Sequence, residues 1–139
     1  MAGALEALYK EYGKKAQFLM VYIREAHPSD GWQSKQNVKD GVVYKQPKTL
    51  AQRAKVAKAC RDGLKMTIPC VLDGIDNKVD TAYGAKPDRL CVVDINGKVA
   101  YHSKRGPWGF KPKDAEKALK EILANSGRIK SRPAPKKSK

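Results

Sequence analysis

A chain of 139 residues with 41% apolar side chains has room for one domain around one sizeable core. Its formal charge is +15, of which Arg128, Lys130, Arg132, Lys136, Lys137 and Lys139 supply six units from an end that contains no acid. No window approaches the roughly 18 consecutive apolar residues that span a bilayer, Met1-Ala2-Gly3-Ala4-Leu5-Glu6 lacks the regions of a signal peptide, and Cys60, Cys70 and Cys91 form neither a disulfide framework nor a zinc-ligand spacing, so a soluble, cytoplasmic domain with reduced thiols and no metal is expected.

Ala4 to Lys15 is predicted as a helix, with Leu5, Leu8 and Tyr12 on one face at spacings of three and four. Phe18-Leu19-Met20-Val21-Tyr22-Ile23 is a short apolar run ending in charge, which suits a strand buried on both faces of a mostly parallel sheet. From Arg24 to about Lys48 runs a polar loop long enough to suggest a functional role. Thr49 is placed to cap the next helix, whose Leu50, Ala54, Val56 and Ala57 are expected to face inward until Gly63 ends it.

Pro69-Cys70-Val71-Leu72-Asp73 reads as a second buried strand, and Asn77 to Tyr83 as a short helix closed by Gly84. Arg89 to Asp94 and Lys98 to His102 flank Asn96-Gly97, a strong hairpin signal because both turn residues tolerate the positive φ of a type I′ turn. After the loop Gly106-Pro107-Trp108-Gly109-Phe110, Pro112 starts a last helix with Ala115, Ala118, Leu119, Ile122 and Leu123 toward the sheet. Residues 126–139 are too rich in Lys, Pro and Ser to bury apolar surface and read as a basic disordered tail on a domain of residues 1–125. The tail suits a solubilising role or nonspecific contact with nucleic acid or anionic lipid; elsewhere the positive residues are scattered and no nucleic-acid motif appears, so no specific nucleic-acid partner is expected.

Alternation followed by an antiparallel hairpin and a packing helix is the closing part of a thioredoxin-like α/β sandwich, with a mostly parallel sheet and its first strand missing. In open α/β sheets the ligand crevice lies beyond the carboxyl ends of the parallel strands, which makes Glu25, His27 and Asp30 candidates by position. A histidine of near-neutral pKa can deliver a proton to a leaving atom, and a carboxylate two residues earlier can orient it; equally, His27 can cap a neighbouring backbone group. Trp32 fits a lid over the crevice or plain loop packing. Cys70 and Cys91 lie in apolar strand runs, where a thiol packs as a small hydrophobe, and Cys60 lies near a helix C-terminus, whose partial negative charge disfavours a thiolate.

The run Val21-Tyr22-Ile23-Arg24-Glu25-Ala26-His27-Pro28-Ser29-Asp30-Gly31-Trp32 resembles the Tyr-Ile-x-Glu-Ala-His-x-Ser-Asp-Gly-Trp signature of the iodothyronine deiodinase family. Ala82-Tyr83-Gly84-Ala85-Lys86-Pro87-Asp88-Arg89-Leu90 and Gly106-Pro107-Trp108-Gly109-Phe110 resemble the family's lead into its hairpin and its Gly-Pro-Trp-x-Tyr loop. The resemblance spans about Leu5 to Leu123. It implies a selenol- or thiol-dependent oxidoreductase, regenerated by a reducing thiol co-substrate and needing no other cofactor, that acts on a small-molecule aryl halide or peroxide; a homodimer is a further implied partner. It also implies that the catalytic selenocysteine or cysteine lies immediately ahead of Met1, so that these 139 residues alone are inactive. Glu25 and His27 then match positions for proton handling, Arg89 a carboxylate-binding arginine whose alternative is a surface role, and Pro87 the cis-proline position of the fold. One departure stands out: Pro47-Lys48-Thr49-Leu50 occupies the place of a His-Arg-Ser-Leu-like run, and proline cannot donate to a thyronine phenol. The competing expectation is a catalytically dead thioredoxin-like binding module anchored by its basic tail.

Overall fold

The computed structural model describes residues 1–31 and 44–131. Its elements are α1 (Ala2–Tyr12), β1 (Met20–Tyr22), α2 (Leu50–Gly63), β2 (Cys70–Leu72), α3 (Lys78–Tyr83), β3 (Cys91–Val93), β4 (Val99–His102) and α4 (Pro112–Ala124). The order and type follow the sequence expectation, and the mixed architecture is of the α/β thioredoxin-like class. β1 and β2 pair in parallel, with Met20 opposite Cys70 and Tyr22 opposite Leu72. β3 and β4 form the antiparallel hairpin, Cys91 opposite His102. Trp32 and most of the basic tail fall outside the described residues.

The core forms where α1 and α4 meet the hairpin. Tyr12, Leu119 and Ile122 are buried together, with Leu8, Ala16, Phe18, Val92, Ala100 and Leu123 packed around them. The Tyr12 hydroxyl ends this apolar stack by donating to Glu116 Oε1 at 3.0 Å. Pro112 opens α4 at its first turn, as its fixed φ and missing N–H favour. From α1, Glu6 accepts Thr67 N, Thr67 Oγ1 and Ile68 N, so this carboxylate fastens the helix to the approach to β2.

Three local expectations are corrected. Thr49 caps α2 through Gln52 N at 3.2 Å as expected, but Leu50 is 52% exposed and Ala54 is exposed too. The inward stripe is Arg53, Val56, Ala57 and Cys60, spaced i, i+3, i+4 and i+7. Arg53, only 1% exposed, rotates the helix because its guanidinium reaches the carbonyls of Asp73 and Gly74 at 3.0 and 2.7 Å and Asn77 Oδ1 at 3.0 Å. Second, β1 and β2 are not covered on both faces: Val21 and Val71, opposite each other in register, are 36% and 43% exposed. Third, the hairpin turn is not type I′, since Gly97 has φ 78° while Asn96 is not left-handed. The reason is Asp94, whose Oδ1 accepts Asn96 N and Lys98 N, both at 2.9 Å, and bends the turn as an Asx residue does. Its Oδ2 accepts Ile129 N at 3.2 Å, and Gly127 O accepts Ile95 N at 2.9 Å, so the chain after α4 is fastened to the hairpin.

Two stability predictions follow from these side chains. Arg53→Met leaves one buried and two part-buried acceptors without their donor and is expected to cost about 3 kcal/mol in urea denaturation; a loss under about 1 kcal/mol would show that water replaces the guanidinium. The amides of Lys98, Ile129 and Asn96 hold the Asp94 carboxyl below its usual range, Lys98 contributing most. Its stabilisation is therefore complete above the unfolded carboxylate pKa of about 3.9 and lost as pH falls toward the lower folded value. Asp94→Asn should lower Tm at pH 7, with the difference from wild type shrinking through that acid range.

Candidate active site

Beyond the C-terminal end of β1 the chain runs Arg24-Glu25-Ala26-His27-Pro28-Ser29-Asp30, and this loop is laced to residues 44–46. The side-chain amide of Gln46 matches both backbone groups of Glu25, accepting its N–H at 2.9 Å and donating to its carbonyl at 3.0 Å. Gln46 N donates to Asp30 Oδ1 at 2.9 Å, and Ser29 N to Tyr44 O at 2.7 Å. This ladder gives a segment without helix or strand a defined path. The Gln46 amide is also the main cause holding the Asp30 carboxyl below its usual range.

Glu25 and His27 are both half-buried. The Glu25 carboxylate accepts the Tyr22 hydroxyl from the end of β1. Burial, and then this carboxylate, push the Tyr22 phenol far above its ordinary pKa, so it acts only as a donor here. Cys60 of α2 lies close enough to Glu25 for its thiol to be pushed up, first by burial and then by the carboxylate's charge. Cys70 and Cys91 are raised by burial as well. Beside the loop opens a cavity of about 460 Å³, lined by Asp30, Tyr44, Gln46, Pro47, Lys48 and Lys55 among others. Pro47 is buried in its wall, and Lys45, Lys48 and Lys55 are among the residues that line it, together with Asp30.

Pro87 and Arg89 stand on the other sheet, in the approach to β3. The Lys86–Pro87 bond is cis, as the position in the fold implies. Arg89 commits two of its N–H donors to the backbone, Nε to Gly84 O at 2.8 Å and Nη1 to Ser103 O at 2.5 Å. Between them, burial raises the Asp88 carboxyl above its usual range. Gly106 lies so close to that carboxylate that a Cβ there would collide with it.

What joins the two halves was not visible in the sequence. Asp73, 1% exposed, turns its carboxylate onto the first turn of α3, accepting Val79 N at 3.0 Å and Asp80 N at 2.9 Å. Asp80, 2% exposed, reaches Arg24 Nε at 2.6 Å with Oδ2 and accepts Lys86 N at 3.0 Å with Oδ1. At the far end of α3, Tyr83 O meets His102 Nε2 at 2.7 Å and Gly84 O meets Arg89. Glu25 and His27 are thus tied through Arg24 to the turn that carries Pro87 and Arg89. Among the described residues no cluster of His, Cys, Asp and Glu is suited to hold a metal.

The family model of the iodothyronine deiodinases matches residues 2–123. The chain is 34% identical over 119 residues to the type I iodothyronine deiodinase of Xenopus laevis, covering 86% of this chain and 45% of that protein. It is 33% identical over 118 residues to the type II enzyme of Fundulus heteroclitus, covering 84% and 44%, and 43% identical over 98 residues to the thyroxine 5-deiodinase of Gallus gallus, covering 69% and 35%. The chain thus spans less than half the length of these relatives. With the match running almost from end to end of the described domain, the chain belongs to the iodothyronine deiodinase family.

Proposed function

We propose that the chain is the substrate- and proton-handling part of a deiodinase-like oxidoreductase that acts reductively on an aryl halide or a peroxide, with a selenol or thiol supplied from immediately ahead of Met1. Reductive removal of a halide from carbon requires a chalcogen anion to take the halogen, a proton for the carbon, and two thiol equivalents to return the chalcogen to its reduced form while the halide leaves. His27 suits delivery of the proton, with Glu25 beside it. Arg89 suits a substrate carboxylate, and the lysine-walled cavity next to the loop offers room for an anionic group. Thyroxine, from which the Gallus gallus relative takes its name, is one substrate of this kind.

The observation that supports this reading is the link from Arg24 through Asp80 to Lys86 N, which connects the segment of Glu25 and His27 to that of Pro87 and Arg89. The three thiols present support a nucleophile from elsewhere, because burial raises each of them and a thiol above its ordinary pKa is mostly protonated at neutral pH.

The test compares the 139-residue chain with the product extended through the in-frame upstream codons, assaying deiodination of thyroxine and reduction of hydrogen peroxide with dithiothreitol as donor. Activity is expected only in a longer product carrying selenocysteine or cysteine. Equal activity in both would overturn the proposal, and an upstream frame without a redox residue would favour the binding module. A second prediction concerns the thiols themselves: Cys60, Cys70 and Cys91 should each react with iodoacetamide at pH 7 more slowly than free cysteine, with rates still climbing as pH passes the ordinary thiol range. Fast labelling of any one at pH 7 would make it a rival nucleophile.

A further inference from the structure

We infer that Asp80 is a positioning residue that holds the two halves of the candidate site in register, through its two carboxylate oxygens acting on different segments. The inference rests on the function proposed above for the roles of Glu25, His27 and Arg89, but its geometry stands apart from that reading.

An aspartate in the first turn of a short helix ordinarily faces water, where it favours the helix dipole and needs no partner. Asp80 does not face water, being 2% exposed. Burying a carboxylate is costly unless its charge and oxygens find partners, and here each oxygen has one from a different part of the chain, Oδ1 a hydrogen bond and Oδ2 an ion pair without one. Oδ2 meets Arg24 Nε at 2.6 Å, one residue before Glu25 and three before His27. Oδ1 accepts Lys86 N at 3.0 Å, one residue before Pro87 and three before Arg89. The backbone repeats the second tie, since Asp80 O accepts Ala85 N at 2.9 Å and Gly84 O takes Arg89 Nε at 2.8 Å. Asp80 is itself fixed, because its N–H is held by the carboxylate of Asp73, 1% exposed at the end of β2.

No strand pairing spans the two sheets among the described residues, as β1 pairs with β2 and β3 with β4. The relative placement of Glu25 and His27 against Arg89 therefore does not come from strand pairing, and Asp80 is, among the described residues, a side chain that touches both approaches. A small displacement of a proton donor or of a binding guanidinium lowers turnover or affinity steeply.

The two oxygens can be separated by mutation. Asp80→Asn keeps an oxygen for Lys86 N and removes the charge that holds Arg24, so it should behave like Arg24→Gln. Asp80→Ala removes both ties. In NMR spectra of the 139-residue chain, Arg24→Gln and Asp80→Asn should each move the His27 ring signals and leave the Arg89 Nε–H signal in place. Asp80→Ala should move both, and adding Arg24→Gln to Asp80→Ala should change neither further. In the extended, active product, Arg24→Gln and Asp80→Asn should lower kcat by roughly tenfold with KM little changed, and Asp80→Ala should raise KM as well. A purely structural carboxylate would lower Tm in all three variants without this split. The inference is overturned if Asp80→Asn and Asp80→Ala give the same spectra, or if Arg24→Gln leaves the His27 signals unmoved. Should Asp80→Ala fail to fold, Asp80→Asn and Arg24→Gln still decide it, because either one leaving His27 unmoved overturns it. The spectra need no turnover, so an inactive extended product would count against the proposed function and not against this inference.

Discussion

Six residues of helix, α3, are held at both ends and in the middle by side chains from every strand-bearing part of the molecule, and the rest of the structure depends on that. Asp73, at the end of β2, satisfies the amides of its first turn, with Arg53 closing over the adjacent carbonyls. Arg89 and His102 meet the carbonyls at its C-terminus, where the helix dipole favours donors and positive charge. A helix this short is not stable on its own, and two-stranded sheets are marginal in water. Each piece is therefore ordered only because the others are, and the connections that order them are largely charged and buried.

That arrangement has a chemical consequence. The ionised groups at the candidate site arrive with partners already in place: Glu25 with Tyr22, Arg24 with Asp80, Asp30 with Gln46. Groups fixed before a substrate enters need little reorganisation when charge develops on it. The same burial works against the three thiols, which are packed where a thiolate would be poorly solvated. The charged groups of the site are thus held by fixed partners, while burial raises each of Cys60, Cys70 and Cys91.

Much of the fold was legible because local signals and tertiary packing agree. Thr49 caps α2, Gly84 closes α3 in the left-handed conformation, Pro112 opens α4, and the 3.6-residue spacing of Ala115, Leu119 and Ile122 marks the buried face. The sequence misled where a polar side chain outbids an apolar one. Arg53 reads as a surface residue between Leu50 and Ala54, yet its guanidinium finds three acceptors that no leucine could satisfy, and α2 turns to follow it. Asn96-Gly97 carries a type I′ signal, yet the nearby Asp94 carboxylate captures the turn amides first. Glu25 and His27 stand out in the sequence by position and, with Pro87 and Arg89, by resemblance to family segments, whereas the contacts of Arg24, Gln46 and Asp80 leave no mark there. Their significance lies in partners on other elements, as far as 56 positions away for Arg24 and Asp80, and spacing along one element contains no trace of that.

The departure at Pro47 takes on a physical meaning in this setting. The proline is buried in the cavity wall, where it offers a rigid apolar surface and no hydrogen-bond donor, while Lys45, Lys48 and Lys55 are among the other residues that line the cavity. An imidazole at that position could donate a hydrogen bond to a neutral phenol, whereas a proline cannot. Arg89, for its part, spends Nε and one Nη on backbone carbonyls and keeps only part of its fork for a ligand. Ammonium groups act as point charges without the guanidinium's planar geometry, so they favour negative charge broadly while imposing little on the shape that carries it.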